Sequence, residues 1–389
     1  ASRFSVPIVF FISAFGLFYN MALRERFDYK AFMQRRFKTV LLPYIVWSSF
    51  YIAHYTVLFH DTSMLHLNTL AFKFFFGDAS YQLYFLVILL WFYLLMPLWI
   101  AMVRRANAWN LSLLLLFQIA FDYISSYVLN PYGIQQPLLK ALLVYRLNYW
   151  VLHYVFIFVL GGWLAVHMEE FHAFMQRRRL GICVFFWGSM AALLGYYYHL
   201  LFQTGYTPIE AVNTAHQLSP AGIFYTIGAS LFFFTIFTYQ RFPSWLNPLL
   251  SALGLHSYFA YLVHPVFITY ITLFMQAKGI IMTAPLAIAF YLVITLLAVG
   301  AAAIFRHLGN TLPLINILTI GVYPKRKNAR SRNTKGRPLP SPSPSPSFTW
   351  YSFSVSVQPT LSWFTRTRSW PSASARLRVM VISAPLDME

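Results

Sequence analysis

Cysteine is nearly absent from this chain: of 389 residues only Cys183 is one. A lone thiol inside an apolar run supports neither a disulfide framework nor a thiolate metal site. Charge is scarce as well, at 10% of residues, with only 10 Asp and Glu in all. Soluble domains carry about 25% charged residues, so a water-soluble enzyme is excluded. No phosphate-cradling glycine loop, no HExxH and no nucleophile elbow is present, which removes the common soluble catalytic motifs. The 11 histidines are scattered with no metal-ligand spacing, and no metal is expected. Alternating segments of about 10 residues, the mark of a transmembrane β-barrel, are missing too.

What the chain has instead is apolar bulk. Hydrophobic residues make up 59%, aromatics 20%, and mean hydropathy is +0.58. Uncharged runs of about 20 residues recur, the length a helix needs to span ~30 Å of hydrocarbon. The fold class that follows is all-α, a polytopic transmembrane helical bundle. Nine spans are expected, near residues 4–23, 39–60, 81–103, 109–129, 149–167, 180–200, 220–239, 255–275 and 284–305. Residues 242–254, FPSWLNPLLSALG, read as a turn-rich connection. AFKFFFGDAS in the loop of residues 61–80 reads as a short interfacial piece.

The stretch that orients the bundle is MQRRFKTVLLPYIVWSSFY, where Arg35, Arg36 and Lys38 abut an apolar run. Each such charge costs about 3 kcal/mol at the centre of a membrane helix. The cluster therefore stays in water or headgroups, and the excess of Lys and Arg places it in the cytoplasm. Alternating the spans from there puts 12 Lys/Arg in the loops on the cluster's side and 4 in the loops opposite. The plasma membrane is the expected location, with the C-terminus cytoplasmic and Ala1 outside, and a tenth helix is expected ahead of the first. Much of the net charge of +19 serves this topology or lies in residues 325–389, so no nucleic-acid partner is expected. Residues 1–324 form the membrane domain. Residues 325–389 are a basic Ser/Pro-rich tail, read either as a disordered segment near anionic lipid or as out-of-frame translation.

Within the bundle, His264 draws most interest. A span starting near Leu255 sets it about 13 Å deep, and an ionisable side chain there is a functional candidate by default. A structural histidine is the competing reading. Ser257 and Tyr261 share its face at i−7 and i−3. Arg35 and Arg36 read as topological charges or as a phosphate clamp, since guanidinium grips phosphate oxygens bidentately. Asp122, late in its span near the outer face, reads as facing a polar cavity or as reaching the headgroups, the second being slightly favoured. His153, Tyr123 and Glu210 carry no spacing argument and read as bystanders.

Three stretches together resemble the membrane-bound acyltransferase family 3, the bacterial O-acyltransferases of cell-surface glycans. They are RFSVPIVFFISAFGLF at residues 3–18, RRFKTVLLPYIVWS at residues 35–48 and HSYFAYLVHPVF at residues 256–267. The last matches an S-Y-x-x-Y-L-x-H pattern at Ser257, Tyr258, Tyr261, Leu262 and His264. The resemblance implies a ten-helix bundle that takes an acyl group, acetyl by default, from acyl-CoA as co-substrate. It implies delivery to a hydroxyl of a cell-envelope glycan. Arg35 and Arg36, with Lys38 beside them, match the arginines thought to hold the CoA phosphates, although Thr39 stands where a further arginine is usual. His264, Tyr261 and Ser257 are then expected to form a supporting catalytic wall, because the resemblance puts the family's best candidate base, a histidine, on a first helix expected ahead of residue 1. A glycan exporter of the same fold, or an inactive fragment, are the alternative readings.

Overall fold

The computed structural model describes residues 4–19, 21, 27–239 and 242–322. The tail and the loop arginines Arg24, Arg26 and Arg241 lie outside the described residues. Among these residues there is no β-strand. The chain runs α1 (Ser5–Tyr19), α2 (Tyr29–Arg36), α3 (Leu42–Phe59), α4 (Leu67–Phe76), α5 (Tyr84–Leu94) and α6 (Met96–Arg105). It continues through α7 (Ala108–Tyr123), α8 (Pro137–Val144), α9 (Val155–Val166), α10 (Met168–Arg177) and α11 (Arg179–Phe202). It closes with α12 (Pro208–Thr214), α13 (Pro220–Tyr239), α14 (Leu246–Ala277), α15 (Ala284–Thr311) and α16 (Pro313–Ile320).

Each of the nine expected spans has a helix at its place, but they are not nine straight rods. Six are long and apolar enough to cross a membrane alone, and up to eight if each of two bent pairs counts as one span. The ninth, α1, has only 15 residues. One bent pair is α5 and α6, which turn by 68° at Leu95. Pro97 supplies the cause, since it has no N–H for the Tyr93 carbonyl. The other pair, α9 with α10, bends by 98°. There α10 buries Met168, Phe171 and Met175 and carries Glu169, Glu170 and Arg177. An amphipathic helix of that kind lies along the interface.

The centre of the bundle is aromatic. Phe10 of α1 sits 4.8 Å from Phe85, 5.2 Å from Phe92 and 4.8 Å from Tyr154, ring to ring. Phe92 stacks on Phe158 at 4.2 Å. Lipid supplies no hydrophobic force to drive such packing, so close fit must do it. Hence Gly161 on α9: a Cβ there would lie 2.4 Å from the Phe11 carbonyl oxygen. By contrast α15 leaves Ile288, Leu292, Leu296 and Ile304 exposed, as a lipid-facing helix does.

One connection differs from the sequence reading. Residues 246–254 are helix, not loop, and extend α14 to 32 residues. Pro248 and Asn247 look like turn residues, yet both fall in the first helical turn, where the N–H groups are unpaired in any case. The polar loop of residues 201–218 contains α12, started by a capping box between Thr207 and Glu210. Hydrogen bonds from Thr207 hold the Glu210 carboxyl below its ordinary pKa.

Candidate active site

His264 lies on α14, 4% exposed. Because α14 starts at Leu246, the ring sits about 27 Å along the helix from its first residue, not 13 Å. What orients it is Pro265, the proline inside the helix. Proline cannot donate to the carbonyl four residues back, so the Tyr261 carbonyl loses its helical partner. His264 Nδ1 takes that place at 2.7 Å. A carbonyl only accepts, so Nδ1 carries the hydrogen, and Nε2 of the neutral ring is left as acceptor. The Tyr81 hydroxyl donates to it at 2.8 Å. Tyr81 itself is half-buried.

Further donors crowd the same turn. The Tyr51 hydroxyl donates to the Leu262 carbonyl at 2.7 Å, and Gln82 Nε2 reaches it at 3.4 Å. The Tyr261 hydroxyl donates to the Gln82 carbonyl. Tyr261 is therefore engaged in holding α14 against the start of α5. The Ser257 hydroxyl donates to Gly254 on its own helix at 3.0 Å. Of the expected wall, His264 and Tyr261 come together. The hydroxyl facing His264 belongs to Tyr81, and no local spacing signals a residue 183 positions away in sequence.

The basic cluster divides. Between α2 and α3 the helix widens into a π turn, Phe37–Leu41, just ahead of Pro43. Arg35 and Lys38 stay exposed. Arg36 is turned inward and buried, its guanidinium 5.1 Å from the Phe32 ring centre and 4.8 Å from that of Tyr93. At the same level Gly321, at φ 64°, lets the end of α16 pack on the π turn: a Cβ would lie 2.5 Å from Thr39 Cα.

A second constellation escaped the sequence reading. Asp122 and His153 are both fully buried, with Nδ1 2.6 Å from Oδ1. This overturns the headgroup reading of Asp122 and gives His153 a partner that no spacing signalled. Tyr123 and Glu210 do remain exposed. The physical reason is that a carboxylate inside a span needs a partner, and the partner comes from another helix. Ser125, one turn beyond Asp122, brings its hydroxyl to 3.4 Å from His153 Nε2. Arg146 Nε donates to that same hydroxyl oxygen at 2.9 Å, and the guanidinium also caps the Ser125 carbonyl near the end of α7. Gln118 holds the histidine backbone, donating to the His153 carbonyl at 2.8 Å and accepting from Phe156 N–H at 2.7 Å. The usable signal was Asp122 and Ser125 at i and i+3. Among the described residues no group of three His, Cys, Asp or Glu could hold a metal ion.

A helical bundle whose interior holds hydrogen-bonded ionisable side chains is the architecture of a polytopic membrane protein with a polar site in its core. The acyltransferase-domain profile of family 3 matches residues 1–306, and the chain belongs to that family. It is a membrane acyltransferase of the kind that transfers groups other than amino-acyl groups. No curated protein and no solved structure matches it.

Proposed function

We propose that the chain moves an acyl group, acetyl by default, from acyl-CoA to a hydroxyl of a cell-envelope glycan across the plasma membrane. The observation that carries this reading is the orientation of His264. Its Nδ1–H is held by the carbonyl that Pro265 releases, so Nε2 is kept as a base. The hydroxyl of half-buried Tyr81 donates to that base. The acceptor hydroxyl gives its proton to His264 through the Tyr81 hydroxyl as its oxygen attacks the thioester carbonyl; the carbon–sulfur bond then breaks, and the leaving CoA thiolate takes that proton and departs as a free thiol. Arg35 and Lys38, exposed beside α3, are the residues we assign to the CoA phosphates. On this reading the basic cluster and the C-terminus face the cytoplasm.

Membranes carrying the complete protein, incubated with radiolabelled acetyl-CoA, provide the test. Label is expected in glycan, and His264→Ala is expected to lower its rate by roughly 10²–10⁴-fold. Unchanged acylation in His264→Ala would remove that residue from the chemistry. Altered polymer export without acylation would favour an exporter instead.

A further inference from the structure

The Asp122, His153, Ser125 and Arg146 cluster takes no part in the reaction just described, yet its groups stand in the order of an acyl-transfer relay. We propose that Ser125 is an acyl carrier, modified in a covalent half-reaction. The inference keeps the donor and acceptor of the proposed function, replaces its direct attack on the thioester by two half-reactions at Ser125, and rests on that thioester donor.

The geometry supplies three of the parts such chemistry needs. An activated nucleophile requires a base within hydrogen-bond reach, oriented by a third group, and these contacts are often loose without substrate. Asp122 orients the ring at 2.6 Å. With the proton of that pair on Nδ1, Nε2 accepts from the Ser125 hydroxyl at 3.4 Å. Arg146 Nε–H already points at Ser125 Oγ at 2.9 Å, and so opposes the negative charge that grows there as the hydroxyl proton leaves. Gln118 fixes His153 through its backbone. Trp150 stacks on the ring at 6.0 Å and Phe121 packs at 5.1 Å, which limits its rotation. A cavity of about one water molecule's volume lies against His153, bordered by Gln118, Gln217 and Thr226.

The step balances. Ser125 Oγ bonds to the thioester carbonyl carbon as its proton moves to His153 Nε2. The carbon–sulfur bond breaks, and the leaving thiolate takes that proton to depart as a free thiol. In the second half an acceptor hydroxyl bonds to the acyl carbon, its proton passes to Nε2, and Ser125 Oγ leaves and recovers the proton.

The experiment uses full-length protein in membranes with labelled acetyl-CoA and no acceptor, quenched in acid. Thiol release and acceptor acylation are measured in parallel. The expected result is one acetyl group on the peptide carrying Ser125, lost in Ser125→Ala and reduced at least tenfold in His153→Gln. Because Ser125→Ala could disturb the Arg146 contacts, Ser125→Cys is the second variant. It keeps a nucleophile, and its label is expected to be released by neutral hydroxylamine, as a thioester is. Acceptor acylation in the wild type with no label on Ser125, or at an undiminished rate in Ser125→Ala, would overturn the relay and leave the proposed function standing. Absence of any thiol release from acetyl-CoA in the wild type would overturn the donor and the relay together.

Discussion

Arg35, Arg36 and Lys38 are neighbours in sequence and differ in physical situation. Arg36 lies buried between two aromatic rings, where a desolvated cation–π contact is worth about 2 kcal/mol. Arg35 and Lys38 are exposed at the surface, within reach of solvent. The double substitution Arg35→Ala with Lys38→Ala is therefore expected to raise the KM for acyl-CoA by roughly tenfold or more, since a charged hydrogen bond contributes about 1.5–3 kcal/mol. Its melting temperature in detergent should stay near that of the parent. Arg36→Ala is expected to do the reverse, lowering the melting temperature first. An unchanged KM in the double variant would remove the phosphate assignment. The run RRFK showed that cations gather there. It did not show which one is turned inward, because Tyr93 comes from a helix some sixty positions away.

At the scale of elements, α14 illustrates how a local defect is put to use. A proline in a helix interior costs about 3 kcal/mol. Here the freed Tyr261 carbonyl is filled by His264, and the Leu262 carbonyl receives Tyr51 and Gln82. Pro265→Ala restores a backbone N–H that competes with His264 Nδ1 for the same carbonyl. The expected outcome is a melting temperature equal to or above the parent's with acyl transfer at least tenfold lower, read in the labelled acetyl-CoA assay. Transfer retained in full would mean that the histidine's orientation does not depend on the proline. The proline and histidine were both legible in HSYFAYLVHPVF, as was the resemblance they carry. The start of the helix was not, because Asn247 and Pro248 have turn chemistry that a first helical turn accommodates equally well.

For the whole molecule, the charge asymmetry of the loops makes a claim about sidedness. Ser63 lies in the loop of residues 61–80 on the sparsely charged side and Arg105 ends α6 on the basic side, and both are exposed. With the lone thiol removed as Cys183→Ser, single variants Ser63→Cys and Arg105→Cys report on each face. A membrane-impermeant maleimide on intact cells is expected to label the first at once and the second only after permeabilisation. The opposite pattern would invert the bundle and move the Arg35 and Lys38 surface outside. Asp122 and His153 sit at the other end of this scale. They were visible as residues and invisible as a pair, since their 31-residue separation in sequence closes only when α7 and the start of α9 pack together.

Apolar run length and scarce charge determined by themselves that this chain is a helical membrane bundle, because burying charge in hydrocarbon is costly and an unpaired backbone there costs more. Motif order along the helices determined the acyltransferase family. Tertiary structure alone decided the inward turn of Arg36, the Tyr81 hydroxyl on His264 and the cluster around Ser125. Each of these depends on a contact between residues far apart in sequence, and hydrophobic pattern carries no information about which polar groups will meet across packed helices.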